Sequence, residues 1–195
     1  MKEKIRNIIS ASINTKQQVL LNEPLLKTIE KIVEVISSAF KNGNRIYFCG
    51  NGGSAADAQH LAAELSGQFY TNRKALPAEA LHCNSSYLTA VANDYSFDLI
   101  YSRLIDGIGK KADVLLGLST SGNSENIVKA FETARAKQII TVGFTGSSGG
   151  KLQILSDYLI NIPSTDTPRI QESHIMVGHI ICQLVDEKLY PTPNP

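Results

Sequence analysis

Residues 46–65, IYFCGNGGSAADAQHLAAEL, pass from an apolar run through a glycine turn into a helix with no spacer between them. The run 46–49 has the length and character of a buried strand. The turn 50–54 holds three glycines, and the residues after Ser54 are dominated by Ala, Gln, Leu and Glu, with no β-branched residue among them. A strand that turns through glycine into a helix start commits the chain to an α/β unit. It also aims bare N–H groups at an anion or a polar ligand. His60 and Glu64, spaced i, i+4, share one face of that helix. A ligand-cradling loop thus lies about two turns from a basic nitrogen and a carboxylate, which is the layout of an active site.

The remaining chain supports this unit. At 195 residues it is sized for one domain with a full core. Apolar periodicity predicts helices over 3–20 and 24–41 ahead of the first strand, and Asn42-Gly43-Asn44 ends the second. Strands are expected at 76–81, 112–118, 139–144 and 157–162. Helices are expected at 85–92, 97–108, 125–137 and from about 169 to 189, with a short one after the loop 146–150. The proline-rich tail 190–195 cannot be helical. Alternating strands and helices argue for a three-layer α/β sandwich around a five-stranded parallel sheet. The flavodoxin-like order 2-1-3-4-5 would make the first and third strands neighbours whose following loops splay apart, and ligands bind at such a switch point. The whole chain reads as one domain: helices for oligomerisation over 1–42, an α/β core over 43–189 and the tail.

Composition removes several classes of function. The net charge is +1 with no run of Lys or Arg, so the footprint of a nucleic-acid binder is missing. No segment approaches the ~20 apolar residues that span a bilayer, and the N-terminus does not read as a signal peptide. Cys49, Cys83 and Cys182 are odd in number and far apart, and they read as buried thiols in a reducing, cytoplasmic compartment. The two N-terminal helices lie outside the alternating unit and are apolar enough to need a partner surface, which predicts an oligomer.

Three groups carry chemistry. The loop after the third strand, Ser119-Thr120-Ser121-Gly122-Asn123-Ser124, offers hydroxyls and a helix N-terminus, a set that holds a phosphate without a charged side chain. Taken alone it could equally be a serine-rich connection with an ordinary N-cap. Its expected place beside the glycine loop favours phosphate. The turn 50–55 also fits GxGxxA, the dinucleotide pattern, which is weak by itself; the only candidate for the companion acid is Glu79. The third group sits on the last helix, where polar Gln171, His174 and His179 interrupt an apolar face and, if buried, require partners. His60, Glu64, Gln171 and His179 make a metal set of two nitrogens and two oxygens, or an acid/base pair with helpers. Gln171 and His179 stand eight residues apart, about 12 Å along a helix. One ion reaches both only if Gln171 lies at a frayed helix start or if one ligand comes from another subunit.

The segments CGNGGSAADAQHLAAEL, TAVANDYSFDLIYSR, DVLLGLSTSGNSENIVKA and RIQESHIMVGHIICQLVDE resemble the phosphoheptose isomerases of the sugar isomerase (SIS) domain class over nearly the whole chain. The resemblance implies a cytoplasmic homotetramer with active sites at subunit interfaces. It implies conversion of sedoheptulose 7-phosphate to D-glycero-D-manno-heptose 7-phosphate through an enediol, for bacterial lipopolysaccharide and surface polysaccharide. Carried over by residue, it gives substrate contacts to Asn51, Gly52, Gly53, Asn93 and Asp94, and a phosphate grip to Ser119, Thr120, Ser121 and Ser124. His60, Glu64, Gln171 and His179 match the ligands of one zinc per subunit. Glu64 and His179 match the base and the acid, and Glu64 and Gln171 also match substrate contacts. Gln68 stands where many members carry arginine, and Pro168 stands where some carry aspartate, the nearest acid being Asp166; neither Gln68 nor Asp166 is assigned a role. A non-catalytic relative of the same fold binds the replication initiator, but there the positions of Glu64 and His179 do not hold the acid/base pair. This chain keeps both.

Overall fold

A computed structural model describes residues 1–191 of the chain. The elements run α1 (Lys2–Leu20), α2 (Glu23–Lys41), β1 (Ile46–Gly50), α3 (Gly53–Ser66), β2 (Ala78–Ala80), α4 (Ser85–Asp94), a 3-10 turn (Phe97–Leu99), α5 (Ile100–Ile108), β3 (Val114–Leu118), α6 (Glu125–Ala136), β4 (Ile140–Thr145), α7 (Leu152–Leu155), β5 (Tyr158–Asn161) and α8 (Thr167–Leu189). The strands form one parallel sheet in the order β2-β1-β3-β4-β5, as expected. β1 and β3 pair in register from Ile46 opposite Val114 to Gly50 opposite Leu118, so their exits stand side by side. Every residue of both strands is buried, which is why they read as continuous apolar runs without alternation.

Helices cover both faces. On one side α2, α3 and α8 bury Ile32, Ile36, Leu61, Val177 and Ile181; on the other α5 and α6 bury Tyr101, Ile105, Ile127 and Phe131. α1 behaves differently. It buries only Thr15 and Val19, while Ile5, Ile8, Ile9 and Ile13 remain about half exposed along one stripe.

Departures from expectation are local. The helix expected over 97–108 opens as a 3-10 turn and becomes α-helical at Ile100. α8 begins at Thr167, because Pro168 falls in the first turn, where no backbone N–H is needed. Cys49 and Cys182 are buried, but Cys83 is exposed, in the turn that leaves the edge strand β2. In the tail, Tyr190 caps α8 and residues 192–195 lie outside the described residues.

Two buried polar arrangements fix α8 against the sheet and α3. The Arg73 guanidinium, fully buried, pairs with the Asp186 carboxylate and donates to the carbonyls of Glu64, Leu65 and Gly67 at the end of α3. It meets carbonyls that have no partner within the helix, and the helix's negative end, at once. Removing one partner of such a pair costs roughly 3–5 kcal/mol.

His174 is the second, at 0% exposure, with its Nε2–H donating to the Thr145 carbonyl at 3.1 Å and its Nδ1 unpartnered. Burial, only partly offset by that hydrogen bond, pulls its pKa down from 6.5 to about 4. A depressed histidine contributes stability that is present above the unfolded value and is lost as pH falls through the window from 6.5 toward 4. The loss amounts to about 3 kcal/mol. Melting curves across that window should fall more steeply for the wild type than for His174→Gln, which keeps a donor for Thr145 and does not titrate. Parallel curves for the two proteins would refute this.

Candidate active site

The glycine turn forms where β1 leaves the sheet. Gly52, at φ +55°, caps α3 in a conformation that disfavours side chains, and the Ser54 and Ala55 amides close the turn onto the Asn51 and Gly52 carbonyls. The buried Tyr101 hydroxyl donates to the Gly50 carbonyl at 2.5 Å and ties the turn to α5. At the exit of β3, the Ser119 and Ser124 hydroxyls lie 3.1 Å apart and the Asn123 amide donates to Ser121 Oγ. Gly122, at φ +67°, lies so close to the loop 146–150 that a Cβ there would meet the Gly149 carbonyl oxygen at 2.1 Å. The Lys151 and Leu152 amides donate to Asn123 Oδ1 and the Gly122 carbonyl, so the hydroxyl loop is held from outside as well as within. The nearby Lys151 ammonium is paired with Glu125, 3.1 Å away.

Side chains join the glycine turn to the start of α6. Asn51 in the glycine turn and Asn126 in the first turn of α6 exchange reciprocal side-chain hydrogen bonds, both 2.9 Å. The pairing lies where β1 and β3 leave the sheet, the place at which the strand order reverses.

Farther along α3 lies a cluster that α8 completes. Leu61 seats against Gly178 so closely that a Cβ there would meet the leucine methyls at 2.6 Å. Beside that contact His60 Nε2 is 2.8 Å from Glu64 Oε1 and 3.3 Å from His179 Nε2. One ligand atom from each of His60, Glu64 and His179 lies within 4.8 Å of the others. Donors 2.0–2.1 Å from a tetrahedral zinc stand about 3.3 Å apart. The facing imidazoles already have that separation, so two nitrogens and a carboxylate fit a three-ligand metal position with one side open. The Phe69 ring stacks on His179, centroids 5.7 Å apart.

Gln171 is placed elsewhere within the chain. Its amide packs against Gly53, where a Cβ would meet Nε2 at 2.8 Å, while His60 lies about 10 Å farther along α3. It is in the second turn of a regular helix, not at a frayed start. The shallow recess between Gly53 and Gln171 also includes Asp57, whose carboxyl burial pushes above the usual range while nearby His60 and His179 pull it partly back. Asn93 and Asp94 are exposed at the end of α4, hydrogen-bonded to one another at 2.9 Å. Among the described residues they make no hydrogen bond to either loop. Gln68 is exposed, and Asp166 is the N-cap residue of α8 without a side-chain cap bond. Glu79 sits mid-strand opposite Tyr47, short of the strand end that the dinucleotide pattern requires.

Asn126, Phe69, Asp57 and Arg73 were absent from the sequence reading. Asn126 carried a signal, as an amide in the first turn of a helix that is otherwise apolar on its buried side. For the others no local pattern in the chain marks a role.

The chain matches the family model of the SIS domain over residues 9–146. It is similar to the phosphoheptose isomerase of Aneurinibacillus thermoaerophilus, 49% identical over 190 residues that cover 97% of this chain and 96% of that one. The phosphoheptose isomerase of Clostridium acetobutylicum is 48% identical over 190 residues, 97% of each chain. Among solved structures, the phosphoheptose isomerase from Francisella tularensis superposes with a TM-score of 0.91 at 34% identity, over 95% of this chain and 97% of that one. That from Neisseria gonorrhoeae gives 0.89 at 38%, over 95% and 98%. With likeness of this extent in both sequence and fold, the chain belongs to the SIS domain family and, within it, to the phosphoheptose isomerases.

Proposed function

We propose that this protein converts sedoheptulose 7-phosphate to D-glycero-D-manno-heptose 7-phosphate, a precursor for surface polysaccharide, in the cytoplasm. The observation that carries the reading is the convergence of Glu64 and His179, brought from two helices to one cluster. Isomerisation moves one proton between adjacent carbons. Glu64 takes the proton from C1 of the ketose while His179 protonates the carbonyl oxygen at C2, which gives the enediol. His179 then recovers the proton from the C1 hydroxyl as Glu64 returns its own to C2, so nothing is gained or lost overall. The Ser119, Thr120, Ser121 and Ser124 loop holds the phosphate, and Asn51, Gly52, Gly53, Asn93 and Asp94 orient the sugar, so that the reacting carbons are presented in one pose.

His60, Glu64 and His179 would hold zinc, which when bound supplies Lewis acidity toward the sugar oxygens. Gln171, too far along α8 to join them within one chain, would complete the set from a neighbouring copy. The half-exposed His60 supports a site that a second subunit closes, its side chain being 50% accessible in the single chain. The isoleucine stripe of α1 supports a homotetramer of the unit 1–195, with 1–42 as its contact helices. Among the described residues no helix is long and apolar enough to cross a membrane. No observation favours the initiator-binding reading over this one.

Glu64→Gln should reduce turnover by roughly 100- to 10,000-fold while sugar-phosphate binding survives, and His179→Asn should do the same. The double variant should be scarcely worse than either, because residues acting as a unit are non-additive. Metal content measured on the same variants separates a lost base from a lost ligand. Near wild-type turnover in Glu64→Gln would end the isomerase reading.

The phosphate grip has its own test. Ser121→Ala combined with Ser124→Ala should raise KM roughly 10- to 100-fold, the effect of losing charge-assisted hydrogen bonds. An unchanged KM would leave the loop as a connection only.

Light scattering should give the mass of four chains at micromolar concentration. Ile9→Glu with Ile13→Glu should lower that mass while helicity by circular dichroism is kept. A monomeric wild type would contradict the assembly.

A further inference from the structure

Asn126 is a polar side chain where a hydrophobic one would pack. It is 2% exposed and lies among Ile127, Val128, Ala130 and Phe131 on α6, whose N-cap is Ser124. A buried amide needs partners, and Asn126 does not spend itself on the free N–H groups of its own helix. Its side-chain hydrogen bonds go to Asn51, one given and one received, each 2.9 Å. Among the described residues these are the only side-chain hydrogen bonds that link the glycine turn to α6.

A reciprocal amide pair is directional. Turning either amide over would set nitrogen against nitrogen and oxygen against oxygen, losing both bonds and adding repulsion. Each amide spends one N–H and one lone pair in the ring. On Asn51, only partly buried, one N–H and one lone pair remain for a ligand, and their directions are set by the partner. The two leave the amide from opposite edges, a donor set one way and an acceptor set the other, a pair that separate hydroxyls of one sugar can meet. A phosphate dianion, an acceptor only, would use half of it.

We propose that Asn126 is a positioning residue: through the amide pair it presets Asn51 to read sugar hydroxyls, separately from the phosphate grip. The inference rests on Asn51 being a sugar contact, as in the function proposed above.

Its test is a double-mutant cycle on the full-length protein with sedoheptulose 7-phosphate, together with inhibition by inorganic phosphate. Asn51→Ala and Asn126→Ala should each lower kcat/KM roughly 10- to 100-fold, and the double variant should be no worse than Asn51→Ala. The inhibition constant for inorganic phosphate should stay within about 2-fold of wild type, since the hydroxyl loop is untouched. Asn126→Asp keeps the volume and the acceptor but, ionised, has no donor; it should show the same dependence on Asn51 if the alanine variant fails to fold. Losses that multiply in the double variant would overturn the inference, as would phosphate inhibition that weakens in step with KM. A harmless Asn51→Ala would instead remove the sugar-contact reading itself, and that outcome is distinguishable because it needs no Asn126 variant.

Discussion

The site depends on how closely α3 and α8 approach. Leu61 occupies the space that a side chain at Gly178 would fill, and this contact sets the relative height of the two helices. With that height set, His60 and His179 face one another at 3.3 Å and Glu64 completes the cluster one turn on. Arg73 holds the far end of α3 to Asp186 of α8, with its guanidinium charge neutralised and the helix-end carbonyls occupied. A hydrophobic contact and a buried ion pair therefore bracket the cluster of His60, Glu64 and His179.

The second constraint is the parallel pairing of β1 with β3. It places two glycine-bearing loops at one end of the sheet, where the strand order reverses. Each loop is stiffened separately, the first by Tyr101 and α3, the second by the interlock with the loop 146–150. The amide pair of Asn51 and Asn126 is the polar link across the gap. A rigid frame of this kind spares a ligand the entropy of ordering the loops, so binding energy is available for orientation.

The histidines of α8 show how one helix divides polar residues between core and site. His174 faces the sheet, donates to Thr145 and is kept neutral by burial. His179, five residues on, faces α3 and meets two other ligating groups. Their residue types are identical, and only the direction in which the helix presents them sends one into the core and the other to the cluster on α3.

Much of the architecture was legible because it rests on local pattern. Continuous apolar runs marked strands buried on both faces, and 3.6-residue periodicity marked the helices. Alternation of the two named a parallel sheet, and the glycine and serine loops pointed to one crevice. Boundaries moved by a few residues where a proline could start a helix or a 3-10 turn could open one. The i, i+4 spacing of His60 and Glu64 put both on one face before any fold was known, because that geometry is internal to a helix. Which residue would join them was not internal to anything. Gln171 and His179 on α8 were both placed in the set, and within one chain the packing of α3 on that helix brings His179 to the cluster while laying Gln171 against Gly53. What Asn126 and Arg73 are for was hidden for the same reason, since their partners lie 75 and 113 positions away. The exposed stripe of α1 marks the same boundary from the other side: periodicity records that a face is apolar, while tertiary packing decides whether the chain's own core covers it. Sequence by itself determined the elements, their order and the types of chemistry available, because those follow from neighbours along the chain. Only the tertiary structure decided which of those groups meet, because contact between distant residues is set by how whole helices and strands pack.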